Sequence, residues 1–188
     1  MLYLPIIIVF ISFILDQLTK ILVVNNMYLW RDSRESIDVI GNFLRLKYIE
    51  NKGMMWGMFS DVDQSVKDIV FTSLTILAVG VVIYYYRSIN RSKIVLKSAF
   101  ALILGGALGN LADKTLGYII FEGKLQIFNE NGNLYGRVVD FLDVGINQTR
   151  WPTFNVADIT ITVGVFIIFY FALFKKEDDF FTTSKEEN

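Results

Sequence analysis

Asp140 and Asp158 each sit against an apolar run, Val-Val-Asp-Phe-Leu-Asp-Val for the first and Phe-Asn-Val-Ala-Asp at the head of a long apolar segment for the second. An ionised carboxylate beside hydrocarbon is costly, and where one is found it usually has a function. Two that meet in space make an acid/base pair suited to hydrolysis, one carboxylate activating water while the other carries a proton. Asp143 lies three residues beyond Asp140, and spacing alone does not set it aside. The chain contains no histidine and no cysteine. That removes imidazole bases, thiol nucleophiles, histidine or thiolate zinc sites and disulfides. Proton transfer falls to carboxylates, lysines, tyrosines or an external cofactor, and neither a cofactor nor a metal is expected.

The elements that must bring these residues together are membrane spans. Over 188 residues, 53% are hydrophobic and only 20% charged, too apolar for an ordinary soluble domain of this size. With 18 basic and 19 acidic residues, the net charge of -1 offers no basic field for nucleic acid. Residues 4–24 are interrupted only by Asp16 and Lys20 and are long enough to cross ~30 Å of hydrocarbon. A signal peptide is the other reading, but a basic leading region and a small-residue cleavage site are lacking. Residues 69–86 carry no charge and end in Tyr84-Tyr85-Tyr86, as at a headgroup boundary. Residues 94–112 are crowded with Gly105, Gly106 and Gly109, which let helices approach closely in lipid. Residues 154–174 form the fourth span, followed by a charged tail, 177–188, expected to be disordered.

The connecting segments set the orientation. Arg87, Arg91, Lys93 and Lys97 make the short connection between spans two and three basic, which marks it as cytoplasmic. Both termini are then cytoplasmic, and the long segments 25–68 and 113–153 are outer loops. Within the first, Phe43 to Tyr48 alternates apolar and basic residues like a half-exposed strand. The stretch from Asn51 to Phe59, too short to span, reads as a loop on the bilayer surface. The expected fold is a mostly α membrane protein, one domain over 1–188, with four transmembrane helices and a small extramembrane β-sheet and loops on the outer face. Asp16, about 18 Å along an outward-running helix, Asp113 at the outer end of span three, Asp140 on the loop feeding span four and Asp158 near its outer end all converge on the outer leaflet.

Each residue also has a plainer explanation. Asp158 and Asn155 suit a helix start, as a dipole-favoured acid and a cap. Asp16 and Lys20 form an i,i+4 pair on one helix face. Asn51 and Gly53 read as a turn, Asn110 and Asp113 as interhelical polar contacts. A competing function is a small four-span ion or proton-coupled transport subunit using the same intramembrane acids. Against it stand the absence of a visible inverted repeat and the gathering of the charges on one side.

Taken jointly, five blocks resemble one family. Asp16-Gln17-Leu18-Thr19-Lys20, Asn51-Lys52-Gly53, the run from Gly105 to Lys114, Val138-Val139-Asp140-Phe141 and Phe154-Asn155-Val156-Ala157-Asp158 are similar, in order and in placement on spans, to lipoprotein signal peptidase, the type II signal peptidase of bacteria. The resemblance implies a multi-pass enzyme of the bacterial cytoplasmic (inner) membrane. It would be an intramembrane aspartyl endopeptidase that removes signal peptides from prolipoproteins, cutting before a diacylglyceryl-modified cysteine. Asp140 and Asp158 would be the catalytic dyad. Asn51, Gly53, Asn110, Asp113, Lys114 and Asn155 would support the site or touch substrate, and Asp16 and Lys20 would order it. Partners would be lipid-modified prolipoproteins, membrane lipid and globomycin-like inhibitors, with the enzyme a monomer. Two departures stand out. Lys114 occupies a position where the family commonly has arginine, whose planar fork a lysine does not reproduce, and Thr115 to Arg137 reads as an insertion.

Overall fold

The computed structural model describes residues 3–27, 35–51, 62–90, 92–116, 120–121, 124–125 and 137–174. Gly53 with the rest of the surface loop after Asn51, residues 126–136 and the tail 177–188 lie outside the described residues. Four helices carry the fold: α1 (Leu4–Met27), α2 (Gln64–Ser88), α3 (Ile94–Leu116) and α4 (Val156–Phe174). All four are long and apolar enough to cross a membrane. The shortest, α4, has 19 residues, about 28 Å of rise. Burial is inverted relative to a water-soluble bundle. In α1 the buried residues include Ser12, Asp16, Gln17 and Lys20, while Phe10, Ile14, Leu18 and Leu22 are exposed. An apolar solvent explains that arrangement, since hydrocarbon accepts the leucines and rejects the charges.

α3 is the central helix, packing on α1, α4 and α2, and α2 packs chiefly on α3. Its glycines set the approach distances. A Cβ on Gly105 would lie 2.7 Å from Cβ of Ser12 and 2.8 Å from the Val9 carbonyl oxygen on α1. One on Gly106 would come within 2.5 Å of the Ala157 carbonyl oxygen on α4. Small residues are therefore required where three helices meet.

A four-stranded antiparallel sheet caps one end of the bundle. It comprises β1 (Ile37–Ile40), β2 (Leu44–Asn51), β5 (Val138–Ile146) and β6 (Thr149–Arg150), in the order β1-β2-β5-β6. A separate pair, β3 (Ile120–Phe121) and β4 (Lys124–Leu125), lies within the segment read as an insertion. The sheet packs on the end of α1: Tyr48, Val139 and Phe141 cluster with Val23, Val24 and Met27. The β1–β2 turn places Gly41 at φ +45, and Asn147 at the β5–β6 turn has φ 53, a conformation asparagine tolerates better than most residues.

Boundaries differ from the sequence expectations in instructive places. β2 runs on to Asn51 instead of ending at Tyr48, so Asn51 is a strand residue and not the start of a turn. Asp140 lies on β5, not in an irregular loop. α3 continues past 112 through Asp113 and Lys114, because partners for both side chains are present inside the bundle. α4 begins at Val156, not at Phe154. Phe154 instead joins the sheet, its carbonyl accepting from the Phe141 and Leu142 amides at 3.0 and 2.8 Å.

Candidate active site

The first turn of α4 is built by Asn155 and Asp158 acting on each other. The Asp158 amide donates to Asn155 Oδ1 at 3.0 Å, and the Asn155 amide donates to Asp158 Oδ2 at 3.1 Å. This is a reciprocal capping arrangement that satisfies two otherwise orphaned N–H groups. The plain reading of these two as helix-start residues therefore holds, and it is not their whole role. The Asn155 side-chain amide also donates to Asp140 Oδ1 at 2.7 Å and to Asn110 Oδ1 at 3.1 Å. The Asn110 amide in turn donates to Asp158 Oδ1 at 3.0 Å. Asn51, at the end of β2, donates to Asp140 Oδ2 at 2.8 Å. Asp140 and Asp158 thus share a network of asparagine amides contributed by β2, α3 and the head of α4.

Both carboxylates line one cavity of about 430 Å³. Its polar end also includes Asn51, Asn110 and Lys114, and its walls are apolar, with Phe71 and Leu74 from α2 and Ile161 from α4. Asp158 also borders a smaller recess of about 320 Å³ beside Trp151 and Phe154. Burial pushes the Asp140 carboxyl up from 3.8 to about 7. The Asn51 and Asn155 hydrogen bonds oppose the rise, and the neighbouring Asp158 charge adds to it. A carboxyl near 7 can give or take a proton at neutral pH.

Behind this pair lies a buried cluster. Lys20 on α1 bridges Asp16 at 2.7 Å and Asp113 at 2.8 Å and donates to Asn110 Oδ1 at 2.9 Å. Asp16 Oδ1 accepts from the Ala157 amide at 2.9 Å, and Asp113 Oδ2 from the Val139 amide at 3.2 Å. The cluster therefore ties α1 and α3 to the residues next to both candidate catalytic acids. Gln17 belongs here too and was not singled out from sequence. Its amide contacts Asp16, the Gly109 carbonyl and Asp113, each at 3.1 Å. A polar side chain inside a span, next to Asp16, was the available signal.

Lys114 lines the cavity, and its ammonium reaches Thr75 Oγ1 on α2 at 3.3 Å. Asp143 is not among the residues lining the cavity and pairs instead with Arg150 Nε on β6 at 2.7 Å. Among the described residues no group of acidic side chains is arranged to hold a metal.

Fold and site together define an integral-membrane protein with two carboxylates at the polar end of an apolar cavity. The model of the signal peptidase (SPase) II family matches residues 8–174, and the chain belongs to that family, which makes it a peptidase. It is 33% identical over 155 residues to the lipoprotein signal peptidase of Syntrophus aciditrophicus, covering 82% of this chain and 83% of the relative. To that of Chlorobaculum tepidum it is 38% identical over 159 residues, covering 84% and 86%. A solved bacterial membrane enzyme, determined by the in meso method at 2.3 Å, superposes with a TM-score of 0.69 at 27% identity, covering 98% of this chain and 94% of that one.

Proposed function

We propose that the chain is an intramembrane aspartyl endopeptidase that removes the signal peptide from lipid-modified prolipoproteins, cutting before the diacylglyceryl-cysteine, with Asp140 and Asp158 as the catalytic dyad. The observation that carries this reading is Asn155. One residue hydrogen-bonds both carboxylates at the polar end of an apolar cavity. In the reaction the pair shares one proton. The ionised carboxylate takes a proton from water as the water oxygen attacks the scissile carbonyl carbon, and the protonated partner hydrogen-bonds and then protonates the carbonyl oxygen. Collapse of the tetrahedral intermediate returns a proton to the amide nitrogen and breaks the C–N bond, freeing a new carboxylate and the amino group of the cysteine. Asn51, Asn110 and Asn155 hold the carboxylates in place for this exchange, and Lys114 faces the same cavity. An apolar cavity and an apolar recess on either side of Asp158 suit a substrate that is hydrophobic on both sides of the cut bond.

The site faces outward from the cytoplasm in this reading. The turn between α2 and α3 is basic, so it stays in the cytoplasm with both termini, and the sheet and carboxylates belong at the outer leaflet. Water reaches the bond there while acyl chains remain in lipid. The chain has no cysteine, so single cysteines placed at 90 and at 147 can be labelled from outside whole cells. Labelling at 147 alone supports the orientation, and labelling at 90 alone overturns it. Cleavage is tested with a lipidated precursor in detergent, an unlipidated one serving as control. Asp140→Asn and Asp158→Asn are each expected to abolish cleavage, and full activity in either removes the dyad.

A further inference from the structure

Glu50 and Arg137 form an ion pair where the segment from Thr115 to Arg137 ends and β5 begins, outside the carboxylate network. The Glu50 side chain is only 7% exposed, and its other oxygen accepts the Tyr48 hydroxyl at 3.1 Å. Solvated surface pairs contribute little; this one has its carboxylate drawn out of water and held from two sides.

Strand register says which side of the sheet the pair occupies. β2 and β5 pair as Ile49 with Asp140, Glu50 with Val139 and Asn51 with Val138. Opposed residues in an antiparallel ladder share a face, and neighbours along a strand alternate. Asn51, Val138 and Asp140 therefore share the face that lines the cavity. Glu50 shares the opposite face with Val139, which packs in the cluster with α1. Arg137, two residues before Val139, belongs by alternation to that far face.

Register is locally fragile here. The pairing shifts between Leu46 and Ile49, where Lys47 and Tyr48 oppose Phe141 alone, and only three paired residues follow before β2 ends at Asn51. A one-residue slip would turn Asn51 away from Asp140. We infer that the Glu50–Arg137 pair is a positioning device for the dyad, pinning β2 to β5 from the far face so that the Asn51 amide stays on the Asp140 carboxylate. The inference rests on the dyad reading and adds two residues that are not among those lining the cavity.

The test uses the full-length enzyme in detergent with the lipidated precursor. Glu50→Gln and Arg137→Gln should each lower kcat by roughly 10- to 100-fold, the range expected for a small misplacement of a reacting group, with little change in KM. Both should move the alkaline limb of the pH profile upward, as Asn51→Ala itself should, because the donor that stabilises the Asp140 carboxylate is lost in each. Glu50→Gln combined with Asn51→Ala should be no worse than Asn51→Ala alone, the signature of two residues acting through one contact. Arg137→Lys and the exchange Glu50→Arg with Arg137→Glu should recover much of the rate. Effects that add to Asn51→Ala, or an unshifted pH limb, overturn the inference. Full activity of Asp140→Asn is a separate outcome that removes the dyad reading, and this inference with it.

Discussion

Two groups of carboxylates lie side by side in this protein, and they are treated oppositely. Asp16 and Asp113 are both bonded to a lysine ammonium and to backbone amides, with Gln17 bridging what remains. Asp140 and Asp158 receive only neutral N–H donors, from Asn51, Asn110 and Asn155, and among the described residues neither has an ion-pair partner. The second group lines the cavity described above, and the first is not among its lining residues. A cation beside a carboxylate ties it into the structure, whereas neutral donors fix a carboxylate's position without supplying a counter-charge. On the proposed dyad reading, pairing separates the acids that build this site from those available for chemistry.

The largest effects should break that contrast outright. Asp140→Asn or Asp158→Asn should cut cleavage of a lipidated precursor by on the order of 10⁴-fold, while the thermal transition in detergent is not lowered. Lys20→Met should do the reverse: two buried carboxylates lose their cation, costing about 3–5 kcal/mol, and residual activity should track the folded fraction. A Lys20→Met variant melting with the parent would erase the distinction. Gly109→Ala probes the same cluster from α3, since the added Cβ would overlap the Asp16 carboxylate; overpacking of this kind costs about 1–3 kcal/mol, read as a lowered Tm.

Acidity sharpens the comparison further. Asp140 is raised from 3.8 to about 7, so its neutral form is favoured by the fold. Its contribution to stability is full below 3.8 and is lost as pH rises through 7. Asp140→Asn should therefore gain in Tm relative to the parent between pH 5 and pH 8, and the parent's cleavage rate should fall above about 7 as the shared proton leaves. A parent rate still rising at pH 9 would contradict both. The smallest effect is expected of Lys114→Arg. Its one described hydrogen bond, to Thr75, is long, and kcat/KM should change by about twofold or less, roughly the 0.4 kcal/mol of a weak contact.

Much of this architecture is legible in the residues, for reasons that differ by element. The four helices are long apolar runs, and hydrocarbon imposes that pattern strongly. The Asp16–Lys20 pair follows from helical spacing. The Asn155 cap was readable from local preference, but its bond to Asp140 was not, because it depends on how α4 meets β5. Strand β5 was hidden for a similar reason: Val138 to Phe141 is buried on both faces, so no period-2 alternation marks it. The partners of Lys114 and of Asp143 are likewise set by contacts between elements, and no local pattern announces them. Five blocks in order suggested the family before any contact was known, and the contacts explain why those blocks must stay in register.

Asn155 ends the sheet connection, caps α4 and holds both acids, so assembly of the proposed reactive centre and winding of the last helix are one event. Fraying by a single turn at that point, from heat, detergent or a wedge-shaped inhibitor, would disarm the enzyme while the rest of the bundle stood intact. Inactivation on warming should accordingly come before global melting.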